Sequence, residues 1–210
     1  MLLIFDLDGT VIDSRSCIVK ATQAAFRFHE LEEPEENEVA GAMGIPLEVT
    51  FPRWSGQEDA ADLIATYRRL YAEMAGSELT VFGGMREALS VLGTRHTLTI
   101  ATSKKRSVAD HNLELMNLRH LFAMVLGSDD VSNYKPHPES IHRVRKAFPF
   151  DPSESVMIGD ARADIDMGHA AGVQTCAALW GAHDADGLVA TRPTMTANHP
   201  SDLVGLFAMG

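Results

Sequence analysis

Apolar residues recur along the chain with two alternating spacings. Short, continuously apolar runs cover residues 2–7, 98–102, 123–126, 156–158 and 173–179, and read as strands buried on both faces. Between them, apolar positions return every three or four residues over 85–92, 107–118, 138–147, 163–171 and 201–208, the period of a helix with one buried face. Alternation of this kind predicts an α/β fold, a doubly wound parallel sheet with helices on both sides. Residues 13–79 break the rhythm. They carry helical spacing (Ile18, Val19, Thr22, Ala25 and Phe26; then Ala61, Ile64, Ala65, Tyr67, Arg68 and Tyr71) and no strand pattern. The expected organisation is a core made of residues 1–12 and 80–210, with an all-helical domain, 13–79, inserted after the first strand.

A chain of 210 residues that is 45% hydrophobic and 22% charged is ordinary globular material. No apolar run approaches the roughly 18 residues of a membrane span. The first five residues meet Asp6 with no basic segment before it, so they read as a buried strand and not a signal peptide. Cys17 and Cys176 share no metal-ligand spacing and are read as reduced, structural residues of a cytoplasmic protein. With 18 basic and 29 acidic side chains the net charge is −11, which disfavours a nucleic-acid partner. An anionic substrate would need a local positive site.

Acids gather where the predicted strands end. Phe5-Asp6-Leu7-Asp8-Gly9-Thr10 closes the first strand with two carboxylates, a glycine and a hydroxyl. Val156-Met157-Ile158-Gly159-Asp160 closes another, with Asp164 one helical turn later. Ligands of open parallel sheets bind outside the carboxyl ends of the strands, so these acids should meet there. Asp6 and Asp160 together make an all-oxygen site suited to Mg²⁺. Either segment taken alone reads equally well as a helix cap or turn; both at once do not.

Leu98-Thr99-Ile100-Ala101-Thr102-Ser103-Lys104-Lys105-Arg106 places a hydroxyl pair, then three cations, where a strand gives way to a helix. Free N–H groups and the Thr102 hydroxyl there suit a phosphoryl oxygen. Plain capping by Thr102 and Ser103 is the alternative. Cations oppose the helix dipole at an N-terminus, a conflict that an anion bound there would remove. Ser132-Asn133-Tyr134-Lys135-Pro136-His137-Pro138 holds Lys135 extended before a proline, displayed from a loop. A solvent-facing lysine is the alternative. The nine histidines, His137 among them, show no paired spacing and carry no functional reading.

These four segments, in this order, resemble the haloacid dehalogenase superfamily, in which a Rossmann-like core carries an inserted helical cap. Asp6-Leu7-Asp8-Gly9-Thr10 looks like the first motif, Thr102-Ser103 the second, Lys135-Pro136 the third, and Gly159-Asp160 with Asp164 the fourth. The insertion at 13–79 lies where the C1-type cap lies. The second acid, Asp8, is a feature of the phosphatases and phosphomutases, and is missing from the carbon–halogen hydrolases. The stretch 127–139 and the Thr-Ser-Lys run look closest to phosphoglycolate phosphatases and the related pyrophosphatases. Ala161, where relatives have Thr or Ser, and Tyr134, where they have a small residue, depart from the pattern without removing a catalytic group.

The resemblance implies a Mg²⁺-dependent phosphatase acting on a small phosphorylated metabolite. Asp6 would be the nucleophile that becomes an aspartyl phosphate. Asp8 would be general acid and then base. Asp6, Asp160 and the Asp8 carbonyl would hold Mg²⁺. Gly9, Thr10, Thr102, Ser103 and Lys104 would face the phosphate, with Lys135 spreading its charge and Asp164 supporting Lys135 or a metal-bound water. Phosphoglycolate phosphatase-like activity leads; inorganic pyrophosphatase and β-phosphoglucomutase are alternatives. A phospho-receiver module, which also joins acids, a hydroxyl and a lysine on a parallel sheet, is the reading from another class. It has no need of the insertion or of the Asp-x-Asp-Gly-Thr spacing.

Within the insertion, Gly41-Ala42-Met43-Gly44-Ile45-Pro46 interrupts the helices and resembles the loop that faces substrate in capped relatives, a plain helix–helix turn being the alternative. Gly44 is therefore a candidate substrate contact, as are Arg53 and Trp54. The linkers run near 12–14 and 77–84, with Gly83-Gly84 as a hinge. The acidic run at 30–38 reads as solvated surface.

Overall fold

In the computed structural model, which describes residues 1–208, the chain divides into two compact units. One consists of Met1–Asp13 and the chain from Val81 onward; the other is Ser14–Thr80.

The first unit begins with β1 (Leu2–Phe5) and the two-residue β2 (Ile12–Asp13). The second unit supplies α1 (Arg15–Phe28), α2 (Glu36–Gly41), α3 (Leu47–Ser55) and α4 (Ala61–Glu78). Returning through β3 (Thr80–Val81), which pairs with β2, the chain forms α5 (Met85–Leu92), β4 (Thr97–Ala101), α6 (Arg106–Leu115) and β5 (Met124–Leu126). Then come α7 (Glu139–Ala147), β6 (Ser155–Gly159), α8 (Arg162–Ala170) and β7 (Gln174–Ala178). The last elements are α9 (Ala185–Ala190), β8 (Met195–Ala197) and α10 (Asp202–Leu206). The main sheet has the order β5-β4-β1-β6-β7-β8, and every pairing is parallel.

Every side chain of β1 is fully buried, which explains its unbroken apolar sequence. Leu2 and Ile4 join Ala101, Leu126 and Met157 on one face, against Ile141 and Val144 of α7 and Met167 of α8. The other β1 face carries Leu3 and Phe5, with Phe5 edge-on to Phe122 at 6.2 Å between ring centroids. The α6 helix stops at Leu115, short of the expected residue 118, because Asn117 turns into the left-handed region at φ 52°. The Leu118 N–H then closes on the Leu113 carbonyl at 2.8 Å. The elements α9 and β8 were not foreseen in the apolar pattern.

The helical unit has its own core. Phe51 stacks edge-on with Phe26 (5.6 Å) and Tyr67 (5.2 Å), and Trp54 packs against Phe51 at 5.9 Å. Arg27 binds Glu33 through two nitrogens, at 2.8 and 2.7 Å, on the largely exposed acidic run. No helix among the described residues is long and apolar enough to cross a membrane.

Candidate active site

From β1 the chain goes to β4 and β5 on one side, then crosses to β6, β7 and β8 on the other. The winding reverses at β1, and ligands of such sheets bind at this point, outside the carboxyl ends of the strands. All the chemically interesting segments of the first unit end there.

Asp6 directly follows β1, and its N–H donates to the Ile158 carbonyl of β6 at 2.8 Å. Asp160 directly follows β6, and Asp164 sits in the first turn of α8. One carboxylate oxygen from each of Asp6, Asp160 and Asp164 lies within 4.8 Å of the other two. Lys135 reaches into this group. Its Nζ donates to Asp6 Oδ1 at 2.7 Å and to Asp164 Oδ1 at 2.6 Å, with its side chain only 7% exposed. Asp164 Oδ2 accepts the Ala161 N–H at 3.1 Å, which anchors it at the start of α8. Asp160 Oδ1 accepts the Thr10 hydroxyl at 2.6 Å.

Three acids thus gather here, and two of them, the buried Asp6 and Asp164, bind the one lysine. Burial pushes the Asp6 carboxyl up to about 7; Asp164 and Asp8 add to the rise, while Lys135 opposes it. Burial, then the charges of Asp6 and Asp164, also hold Asp160 well above the ordinary carboxylate range. Burial pulls the Lys135 ammonium down, but Asp164 and Asp6 outweigh it and raise its pKa. The pocket therefore carries more negative charge than its own cation balances. Carboxylate oxygens alone, close together and short of positive charge, fit a hard divalent cation.

Gly9 lets the loop after β1 enter the group. It adopts φ 83°, and a Cβ there would overlap the Asp160 carboxylate.

The segment after β4 is arranged differently. The Thr102 N–H donates to the Leu126 carbonyl at 3.0 Å, and its hydroxyl accepts the Lys104 N–H at 3.2 Å, with Ser103 half-buried between them. Lys104 Nζ donates to both carboxylate oxygens of Asp8, at 2.7 and 2.9 Å. The Arg106 N–H, first in α6, donates to Asp129 Oδ1 at 2.7 Å, and the Arg106 guanidinium lies 3.6 Å from Asp130. These contacts bear on two sequence expectations. The anion that offsets the cations at this helix start is Asp129 of the same chain, so the cations do not by themselves require a bound phosphate. Lys104 and Thr10, expected to face phosphate, here face Asp8 and Asp160.

Sequence reasoning missed four further residues. One is Asp129. Glu139 is another: its carboxylate accepts the N–H groups of Ser132 (3.2 Å) and Asn133 (2.9 Å), then Asn133 Nδ2 (3.0 Å) and Arg143 (2.8 Å). The Ser132 and Asn133 hydrogen bonds, helped by Arg143, lower its pKa to about 2. They close the loop that carries Lys135, whose peptide bond to Pro136 is cis. The other two follow β7. Trp180 Nε1 donates to the Thr10 carbonyl at 2.9 Å, and a Cβ on Gly181 would overlap the Gly9 carbonyl oxygen. Their signal was positional, since they leave a strand at the same edge of the sheet as Asp6, Thr102 and Asp160. Gly44 belongs to the helical unit, after α2, with φ 89°.

Comparison with known proteins agrees with this geometry. The haloacid dehalogenase-like hydrolase family matches residues 3–178. A protein of Dickeya dadantii named "Probable phosphatase IndB" is 33% identical over 97% of this chain and 92% of its own. Pyrophosphatase PpaX of Bacillus pumilus is 31% identical over 97% of this chain and 94% of its own. The structure of a haloacid dehalogenase-like family hydrolase from Streptococcus pneumoniae superposes with a TM-score of 0.89 at 26% identity, covering 98% of this chain and 97% of that one.

Proposed function

We propose that this chain, which belongs to the haloacid dehalogenase-like hydrolase family, is a Mg²⁺-dependent phosphatase of small phosphomonoesters, phosphoglycolate among them. The observation that carries this reading is the meeting of Asp6, Asp160, Asp164 and Lys135 at the carboxyl edge of the sheet. In it, Asp6 attacks phosphorus and becomes an aspartyl phosphate, so one difficult transfer becomes two easier ones. Asp8 gives a proton to the departing oxygen and later takes one from the attacking water. Lys135, the Thr102 hydroxyl and the Ser103 N–H draw charge from the phosphoryl oxygens. Asp6, Asp160 and the Asp8 main-chain carbonyl would hold Mg²⁺, which when bound would supply positive charge against the repulsion between a carboxylate and a phosphate dianion. Asp164 keeps Lys135 in place. The helical insertion selects the substrate.

The test is a small-phosphoester panel with Mg²⁺, with chelator, and with Mg²⁺ restored. Activity that vanishes with chelator and returns with Mg²⁺ is expected, and Asp6→Asn should retain no label after rapid quench with labelled substrate. Undiminished turnover in excess chelator excludes the metal role, and label on Asp6→Asn excludes the nucleophile. Inorganic pyrophosphate is a second reading, favoured by the similarity to PpaX. Its inclusion in the panel separates the two by kcat/KM.

A further inference from the structure

Resting on that reading, we infer that Trp180 and Gly181 are positioning residues, a brace that fixes the Gly9–Thr10 backbone and through it the carboxylate group. They touch this loop in two independent ways. The Trp180 indole donates to the Thr10 carbonyl at 2.9 Å, on a residue with no solvent exposure. Gly181 lies so close to the Gly9 carbonyl that any Cβ would displace one or the other. Thr10 then hands the restraint on, because its hydroxyl donates to Asp160 at 2.6 Å, and Gly9 presses against the same carboxylate.

A brace must itself be fixed, and this one is held at both ends. The Leu179 N–H donates to the Ala197 carbonyl of β8 at 2.9 Å. Leu179 and Ala182 pack against Ile165, Ala177 and Leu188, a small core tied to α8 one residue beyond Asp164. Asp184 caps α9 by accepting the Gly187 N–H at 2.9 Å. Residues 180 and 181 are therefore presented to the Gly9–Thr10 loop by packed neighbours on either side. The same small core meets α8 beside Asp164, so both ends of the carboxylate group rest on it. A shift of about 1 Å in such a support costs on the order of a hundredfold in rate.

The experiment compares the parent with Trp180→Phe, Gly181→Ala and Leu92→Ala, the last a buried change in α5. Three quantities are read: Tm without metal, the Mg²⁺ concentration that half-maximally raises Tm, and kcat/KM on an aryl phosphate well below Tm. The two brace variants should need about tenfold more Mg²⁺ and lose about tenfold or more in kcat/KM. Leu92→Ala should lose Tm while keeping the parent's Mg²⁺ midpoint. The Mg²⁺-dependent change in tryptophan emission should be present in the parent and gone in Trp180→Phe. Brace variants that lose Tm but keep both the Mg²⁺ midpoint and kcat/KM would show a merely structural role and overturn the inference. The midpoint needs no turnover, so a parent that hydrolyses nothing defeats the functional reading alone, while a shifted midpoint still supports the brace.

Discussion

Beside β1 and β6, Asp6, Asp160 and Asp164 lie together with one lysine, Lys135, paired to Asp6 and Asp164, whereas beside β4 both Lys104 and Arg106 have carboxylates of their own. The first group is buried and short of positive charge; the second is already paired with Asp8, Asp129 and Asp130. The difference shows in protonation. Asp6 is pushed up by burial and then by Asp164 and Asp8, and Asp160 by burial and then by Asp6 and Asp164, while the cations near β4 have local partners. A region of the first kind gains by taking a cation. A region of the second kind receives an anion only by exchanging partners, so Lys104 must leave Asp8 to meet a phosphate. Charge alone, read along the sequence, does not distinguish the two cases.

The largest effect should come from breaking the first group at its cation. Lys135→Met leaves buried Asp6 and Asp164 without their cation, and breaking a buried pair in this way costs about 3–5 kcal/mol. Thermal unfolding without metal should show a deficit of that order, smaller at pH 5 than at pH 8, with kcat reduced by about a hundredfold or more. A variant as stable as the parent at both pH values would contradict the charge imbalance.

Next comes the pH dependence of the metal-free parent. Asp6 is raised from 3.8 to about 7 in the fold, so its protonated form is favoured there. Its stabilising contribution is full below pH 3.8 and is lost as pH rises through about 7. Each unit of displacement is worth about 1.4 kcal/mol. Metal-free Tm should therefore fall between pH 5 and pH 8. Added Mg²⁺ should restore more at pH 8 than at pH 5, and Asp160→Asn should flatten the slope. A slope unchanged in Asp160→Asn would remove that residue from the coupled group.

The β4 region should respond less. Asp129→Asn weakens the acceptor at the α6 N-terminus and restores the clash between Arg106 and the helix dipole, at about 1 kcal/mol, or a Tm loss of about 2–4 °C. Calorimetry measures it, and a loss as large as that of Lys135→Met would erase the contrast. The smallest change expected is a gain. Ala161 begins α8 without a side-chain cap, so Ala161→Ser should add about 0.5–1 kcal/mol, readable as a small rise in Tm.

The sheet and its long helices were legible because burial on one or two faces leaves a period in the sequence. Residues 85–92 emerged at the bounds expected, and each apolar run became a strand within two residues at either end. What escaped was short or tertiary. The three residues of β8 carry only one buried side chain, and α9 contains Gly187, a poor helix former. Asp6, Asp8 and Asp160 were visible as acids at apolar strand ends, and Lys135 as a loop lysine held before a proline. Their partners were not. Asp129 meets Arg106 only because β5 ends beside the start of α6, and Trp180 meets Thr10 from the far end of the chain. Such pairings are fixed by strand order, which no local spacing reveals.

The all-parallel order of the sheet also governs when this site exists during synthesis. Leu2 of β1 finds its neighbours in Thr97 on one side and Ser155 on the other. The helical unit is continuous from Ser14 to Thr80, so it is fully synthesised before either neighbour of β1 has been made. Until β6 emerges from the ribosome, a wholly apolar strand lacks one flank, a template for misassembly that chaperones meet in slow-folding parallel sheets. The last piece of the candidate centre, Trp180-Gly181, comes later still. A nascent chain stalled before that point holds its acids without the support they rest on.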